Sequence, residues 1–198
     1  MSADAAAPRI AVVPSPPALL PSYAGRQDPL PEVRAAAVEA CRWLLAPGPS
    51  EVVVLADALG ARVGVSLLAA AGWTGAVRAV GVPGEAGVPP DPGAPAAPPD
   101  ALLVVADGSA RRTEKAPGHL DGRAHPYDER TGRALAAGDA ATLADLDTDL
   151  GVELLAAGTP ALRALGALVG TRSVSAEVDY EGDPFGVAYW VVRWTCRS

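Results

Sequence analysis

The chain is poor in the residues that most often carry chemistry. Its 198 residues hold two cysteines, two histidines, one methionine, one phenylalanine and a single lysine, Lys115. Cys41 and Cys196 lie far apart, with no Cys-x-x-Cys and no Cys/His cluster. That pattern excludes a zinc ribbon or a thioredoxin-like redox site and points to reduced thiols in a cytoplasmic protein. No apolar run approaches the ~18 residues needed to span a bilayer. Residues 1–8 show no basic stretch ahead of an apolar one, so no secretory leader is expected. The formal net charge is -7, which disfavours a binder of phosphate backbones. Nucleic acid and membrane are therefore not expected as partners. Basic charge comes almost wholly from arginine, a bias that fits a GC-rich genome and carries no chemical meaning of its own.

What remains is an ordinary globular composition, with 49% hydrophobic and 20% charged residues. A chain of this length can bury a sizeable core as one domain covering residues 1–198. Short apolar runs at residues 10–13, 51–55, 77–82 and 101–106 predict buried strands. Helical periodicity predicts helices over 32–45, 61–71, 126–137, 148–157 and 159–169, with a short one capped by Asp139. Gly138, Gly158 and Gly170 stand at their expected ends. Residues 83–100 contain seven prolines and three glycines and predict a surface loop. Near the C-terminus the period becomes two. Val174, Ala176, Val178 and Tyr180 share one face, Gly182-Asp183-Pro184 turns the chain, and residues 185–195 form a return strand carrying Trp190 and Trp194. The sum is an α/β fold: a single domain with a mixed central sheet flanked by helices and a C-terminal β-hairpin.

Ligands of open α/β sheets bind beyond the carboxyl ends of the strands. Three loops qualify: after Val13, after Leu55 and after Ala106. The last is the most polar segment of the chain. It gathers Asp107, Ser109, Arg111, Arg112, Glu114, Lys115, His119, Asp121, Arg123 and His125 within nineteen residues. Its arginines suit bidentate pairing with an anion, and its histidines suit proton transfer near neutral pH. The competing reading is a solvated loop with local ion pairs. Other chemistries lack their context. A Ser109–His119–Asp121 triad has no Gly-x-Ser-x-Gly elbow. The Gly81/Gly84/Gly87 spacing has no helix after it to receive a phosphate. Convergence of His119 and His125 on a metal is allowed by spacing and not demanded by it. Asp145 and Asp149 sit at helix ends, where the helix dipole accounts for them. Trp190 and Trp194 read as core.

Four segments in order carry a resemblance. They are Val13-Pro14-Ser15-Pro16-Pro17 with Leu19-Leu20-Pro21; Asp107-Gly108-Ser109-Ala110-Arg111-Arg112 with Ala116-Pro117-Gly118-His119-Leu120 and Arg123-Ala124-x-Pro126-Tyr127-Asp128; Ala137-Gly138-Asp139 with Leu146-Asp147; and Tyr180-Glu181-Gly182-x-x-Phe185-Gly186-Val187-x-Tyr189. Together they resemble the class III extradiol ring-cleavage dioxygenases, and in particular an actinobacterial branch that also reads Ser-Ala-Arg-Arg.

The resemblance implies an oxidoreductase that opens a catechol ring with O2 at an Fe(II) held by two histidines and a carboxylate, with a further histidine as acid/base. The matching positions here do not carry those ligands. They hold Ser15, the Ala56-Asp57-Ala58 stretch, Ala110 and about Ala156, with Glu153 the nearest acid. The expectation is therefore the family fold without its iron site: a degenerate small-molecule-binding or accessory member with no cofactor. The ligand would be a small anionic or aromatic molecule, held by Ser15, Asp107, Ser109, Arg111, Arg112 and Lys115, with His119 and His125 as the catalytic candidates. A homodimer is the default for such a fold. The alternative is an active dioxygenase-type enzyme with a relocated Fe(II) site around Asp57, Asp107, His119 and His125.

Overall fold

A computed structural model describes residues 7–23, 27–82 and 95–197. Six strands form one sheet: β1 (Arg9–Val13), β2 (Glu51–Ala56), β3 (Ala76–Gly81), β4 (Ala101–Val105), β5 (Ser173–Gly182) and β6 (Tyr189–Arg197), in the order β3-β2-β4-β1-β6-β5. The first four strands are mutually parallel. β6 runs antiparallel to β1, and β5 antiparallel to β6. This is the expected mixed α/β sheet with a terminal hairpin.

Side-chain alternation sorts the strands onto two faces. On one face Val13, Val54, Leu103 and Val105 pack under α1 (Pro31–Leu45) and α2 (Ala58–Ala70). On the other, Val12, Leu55, Val104, Trp190 and Trp194 pack under α3 (Ala124–Ala137), α4 (Ala140–Ala144) and α6 (Thr159–Val169). Every residue of β4 is buried, as a central parallel strand covered on both faces requires. Both tryptophans are core, and Trp194 Nε1 donates to the Leu135 carbonyl at 2.7 Å. Both cysteines are buried free thiols. Burial pushes the Cys41 thiol up to about 12, so it is inert at neutral pH. No helix among the described residues is long and apolar enough to cross a membrane.

The structure departs from the sequence expectations in several places. α2 begins at Ala58 rather than at 61, because the Asp57 carboxylate caps it by accepting from the Gly60 amide at 2.6 Å. α3 begins two residues before Pro126, at Ala124. The helix expected over 148–157 stops at Glu153, forming α5 (Thr148–Glu153), with Leu155 in the left-handed region at φ 55°. A β-bulge shifts the β5 register between Val178 and Tyr180. Up to that point Val174 and Ala176 lie on the face covered by α3, as the period of two predicts. Beyond it, Tyr180 lies on the opposite face, the one covered by α1, because one unpaired residue reverses every later side chain. The return strand also starts later than 185, at Tyr189, after a 3-10 turn over Pro184–Gly186. Of the expected 83–100 loop, residues 83–94 lie outside the described residues, and 95–100 carry no helix or strand.

Candidate functional site

The parallel strands β1, β2, β3 and β4 end on one edge of the domain, and the polar groups that follow them meet there. β1 is followed by Ser15 and β4 by Asp107, and the two strands are neighbours. Ser15 therefore donates both its amide, at 2.6 Å, and its hydroxyl, at 2.8 Å, to the two oxygens of Asp107. Burial pushes the Asp107 carboxyl up to about 6; the two Ser15 hydrogen bonds oppose that rise, and the charge of Asp57 adds to it. Such a carboxyl changes protonation just below neutrality, where an ordinary aspartate is fully ionised.

A cavity of about 410 Å³ opens at this edge. Asp57 and Val82, just beyond β2 and β3, form one side. The other is built from α5, the turn after it and the start of α6: Val152, Leu155, Ala157 and Thr159, with Thr148 and Pro160 at its margins. Asp107 stands directly behind this second wall. Its carbonyl accepts from the Gly158 amide at 3.0 Å. A Cβ at Gly158 would land on the Asp107 backbone nitrogen and oxygen and on the Ala106 Cβ. Only glycine lets α6 approach β4 so closely. Gly158→Ala is expected to force this wall away from β4 and to cost about 1–3 kcal/mol, the usual scale of overpacking. Denaturant titration measures this; an unchanged midpoint would show that the approach is not tight.

The charged loop after Asp107 plays a different part. Ser109 is fully buried. Its amide donates to Asp128 Oδ1 at 2.9 Å, and its hydroxyl donates to the Leu154 carbonyl at 2.9 Å and accepts from the Arg111 amide. Arg112 bridges the buried Asp128, at 3.1 Å, and Asp183 of the hairpin turn, at 3.0 Å. Burial works to lower the Arg112 pKa, but its hydrogen bonds to Asp183 and Asp128 outweigh this and leave it raised. Burial likewise raises the Asp128 carboxyl, against the Ser109 amide and Arg112, which favour its charge. Arg123 ties Asp121, at 2.7 Å, to Glu153 of α5, at 2.6 Å. These are struts joining the loop to α3, α5 and the hairpin.

Of the residues singled out in the sequence, the structure brings Ser15 and Asp107 together, with Asp57 close enough to influence Asp107. Ser109 and Arg112 meet at Asp128, away from the cavity lining. Arg111 Nε is buried with no hydrogen-bond partner among the described residues. Lys115 and His119 are exposed; His119 has φ 58° and its Nδ1 lies 3.4 Å from the Glu114 carbonyl. His125 Nε2 lies 3.1 Å from the Arg112 carbonyl. Neither histidine and neither of these arginines lines the cavity among the described residues. No group of three or more His, Cys, Asp or Glu side chains is placed to hold a metal ion among them, so Asp57, Asp107, His119 and His125 are not gathered into one centre. The apolar wall from Val152 to Thr159 was not legible as a site. Its residues become neighbours of Asp57 only through the tertiary fold.

The positions at which the resemblance implies iron ligands can be judged by what occupies them. The Ser15 hydroxyl is spent on Asp107 and Glu153 on Arg123, Asp57 commits one of its two oxygens to the cap of α2, and Ala110 and Ala156 offer methyl groups. With no imidazole among them, these residues do not fit an Fe(II) centre of two histidines and a carboxylate. No family model matches the chain, and no curated protein matches it either.

Proposed function

We propose that this chain is a small-molecule-binding member of the extradiol dioxygenase-like proteins in which ring-cleavage chemistry has been lost. The ligand lies in the cleft between Asp57 and the α5–α6 wall. The observation that carries the reading is the cleft itself. It is of ligand size, mainly apolar with a few placed polar groups, and it sits at the carboxyl edge of the parallel strands, where α/β proteins bind small molecules. A raised carboxyl directly behind the cleft wall adds to it. The family reading is supported by the four sequence segments alone. Loss of chemistry is supported by the side chains that replace imidazoles at Ser15 and Ala110.

Anaerobic loading with Fe(II), followed by metal analysis and assay on a panel of catechols, tests the loss. The expected result is substoichiometric iron and no ring-opened product. One iron per chain with catechol turnover would contradict it and favour the alternative of an active enzyme with a rebuilt metal site.

A further inference from the structure

We propose that the cleft selects an amphiphilic amine, an aryl or alkyl body carrying one protonated amino group. The proposal rests on the reading of the cleft as the ligand site and names the class of its ligand.

Three features point to the charge. First, Asp57 is the only charged side chain among the described residues lining the cavity. Its Oδ1 accepts from the Gly60 amide, and its Oδ2 takes no hydrogen bond from the described residues. One oxygen is thus held rigid by the helix while the other is open to the cleft and to solvent, free to pair with an incoming donor. Second, Asp107 stands behind the opposite wall and adds a second acidic group. Third, the helix start in the wall offers little to an anion. The Gly158 amide is spent on the Asp107 carbonyl and the Thr159 amide on the Ala156 carbonyl. At the start of α2 the Asp57 carboxylate already holds the place an anion would take. An anionic head would meet a carboxylate; an ammonium would meet its complement.

The apolar body follows from α5 and the turn after it. Val152 and Leu155 are 70% and 47% exposed, and both line the cavity. Leu155 also occupies the left-handed position just after the helix, where the following amide, Ala156, returns to the Gly151 carbonyl at 2.8 Å. Glycine is the ordinary occupant of that position, and a leucine there is strained. The backbone does not ask for a leucine, and the core does not bury it. One methyl of its side chain lies against Gly118 beside Arg111, and the exposed remainder lines the cleft, where a ligand's apolar body would meet it. A volume of about 410 Å³ suits a ligand of one ring or a short alkyl chain with its head group.

The test titrates the full chain at pH 7.5 with three probes of one body and different heads: 2-phenylethylamine, 2-phenylethanol and phenylacetate. Isothermal calorimetry gives the affinities. The amine is expected to bind at least about tenfold more tightly than the alcohol, a factor of about 1.4 kcal/mol, and phenylacetate most weakly. Asp57→Asn keeps the helix cap, since asparagine caps as well as aspartate. It should bring the amine down to the affinity of the alcohol and leave the alcohol unchanged. Leu155→Gly relieves the backbone and gives up a contact with Gly118, two opposing effects on stability, so it should weaken all probes with little change in melting temperature. If the alcohol or the acid binds as tightly as the amine, or Asp57→Asn keeps the preference, the amine class is wrong. The cleft reading then survives as long as Leu155→Gly still weakens binding. If no probe binds, or Leu155→Gly changes nothing, both fail.

Discussion

Replacing Arg112 by alanine is expected to cost about 3–5 kcal/mol of stability, because it strands a carboxylate inside the protein. Asp128 is 1% exposed. Its two oxygens are satisfied by the Ser109 amide and by Arg112 Nη1. Without the guanidinium, one oxygen faces the interior unpaired and the charge is no longer balanced. For a domain whose whole stability is about 5–15 kcal/mol, that loss takes the chain close to unfolding at room temperature. The double variant Arg112→Ala/Asp128→Asn removes the stranded charge and should recover a large part of the loss. Urea titration of wild type, both single variants and the double variant measures this. Additive single effects would show that the two side chains are not coupled and that Arg112 is free to serve a ligand instead.

The second large effect has the opposite sign. Asp107→Asn is expected to raise the melting temperature at pH 7.5. The Asp107 carboxyl stands at about 6 in the folded chain against an ordinary 3.8. Between those values the folded chain holds a proton that the unfolded chain has released, so stability falls as the pH rises from about 4 through 6. At neutral pH the ionised Asp107 therefore costs up to about 3 kcal/mol relative to acid conditions. Asparagine keeps the geometry: its carbonyl accepts from the Ser15 amide, and its NH2 donates to the Ser15 hydroxyl. The gain should be several degrees at pH 7.5, at about 2–4 °C per kcal/mol for a chain of this size, and should vanish near pH 4. A gain independent of pH, or a loss at pH 7.5, would show that Asp107 is not held in a hostile environment.

Much of the fold was legible in the sequence, for physical reasons visible in particular elements. Residues 101–106 are continuously apolar because β4 is covered on both faces. The hairpin announced itself by a change of period. What was hidden depends on single backbone events. The bulge in β5 follows an unbroken alternation and still reverses Tyr180. The end of α5 falls at a leucine rather than at the glycine three residues later, and Gly158 serves instead to let α6 touch Asp107. The site was legible in part. Ser15, Asp57 and Asp107 each follow a strand and could be named singly, while their juxtaposition depends on the strand order. The crowded segment from Asp107 to His125 stood out because charge density is a local property. Whether a charge faces a ligand or a neighbouring helix is not. There, Asp128 and Asp183, sixteen and seventy-one residues from Arg112, supply the partners that turn an apparent anion site into a brace.

The most direct test of the account is to map where a ligand sits. Amide NMR spectra of the isotope-labelled chain titrated with 2-phenylethylamine would show it residue by residue. The predicted result is that perturbations concentrate at Asp57, Val82 and the stretch from Gly151 to Thr159, with the amides of Arg111 to His125 little changed. Perturbations centred on Arg111, Arg112, Lys115 and His119, with Asp57 and Leu155 silent, would contradict it.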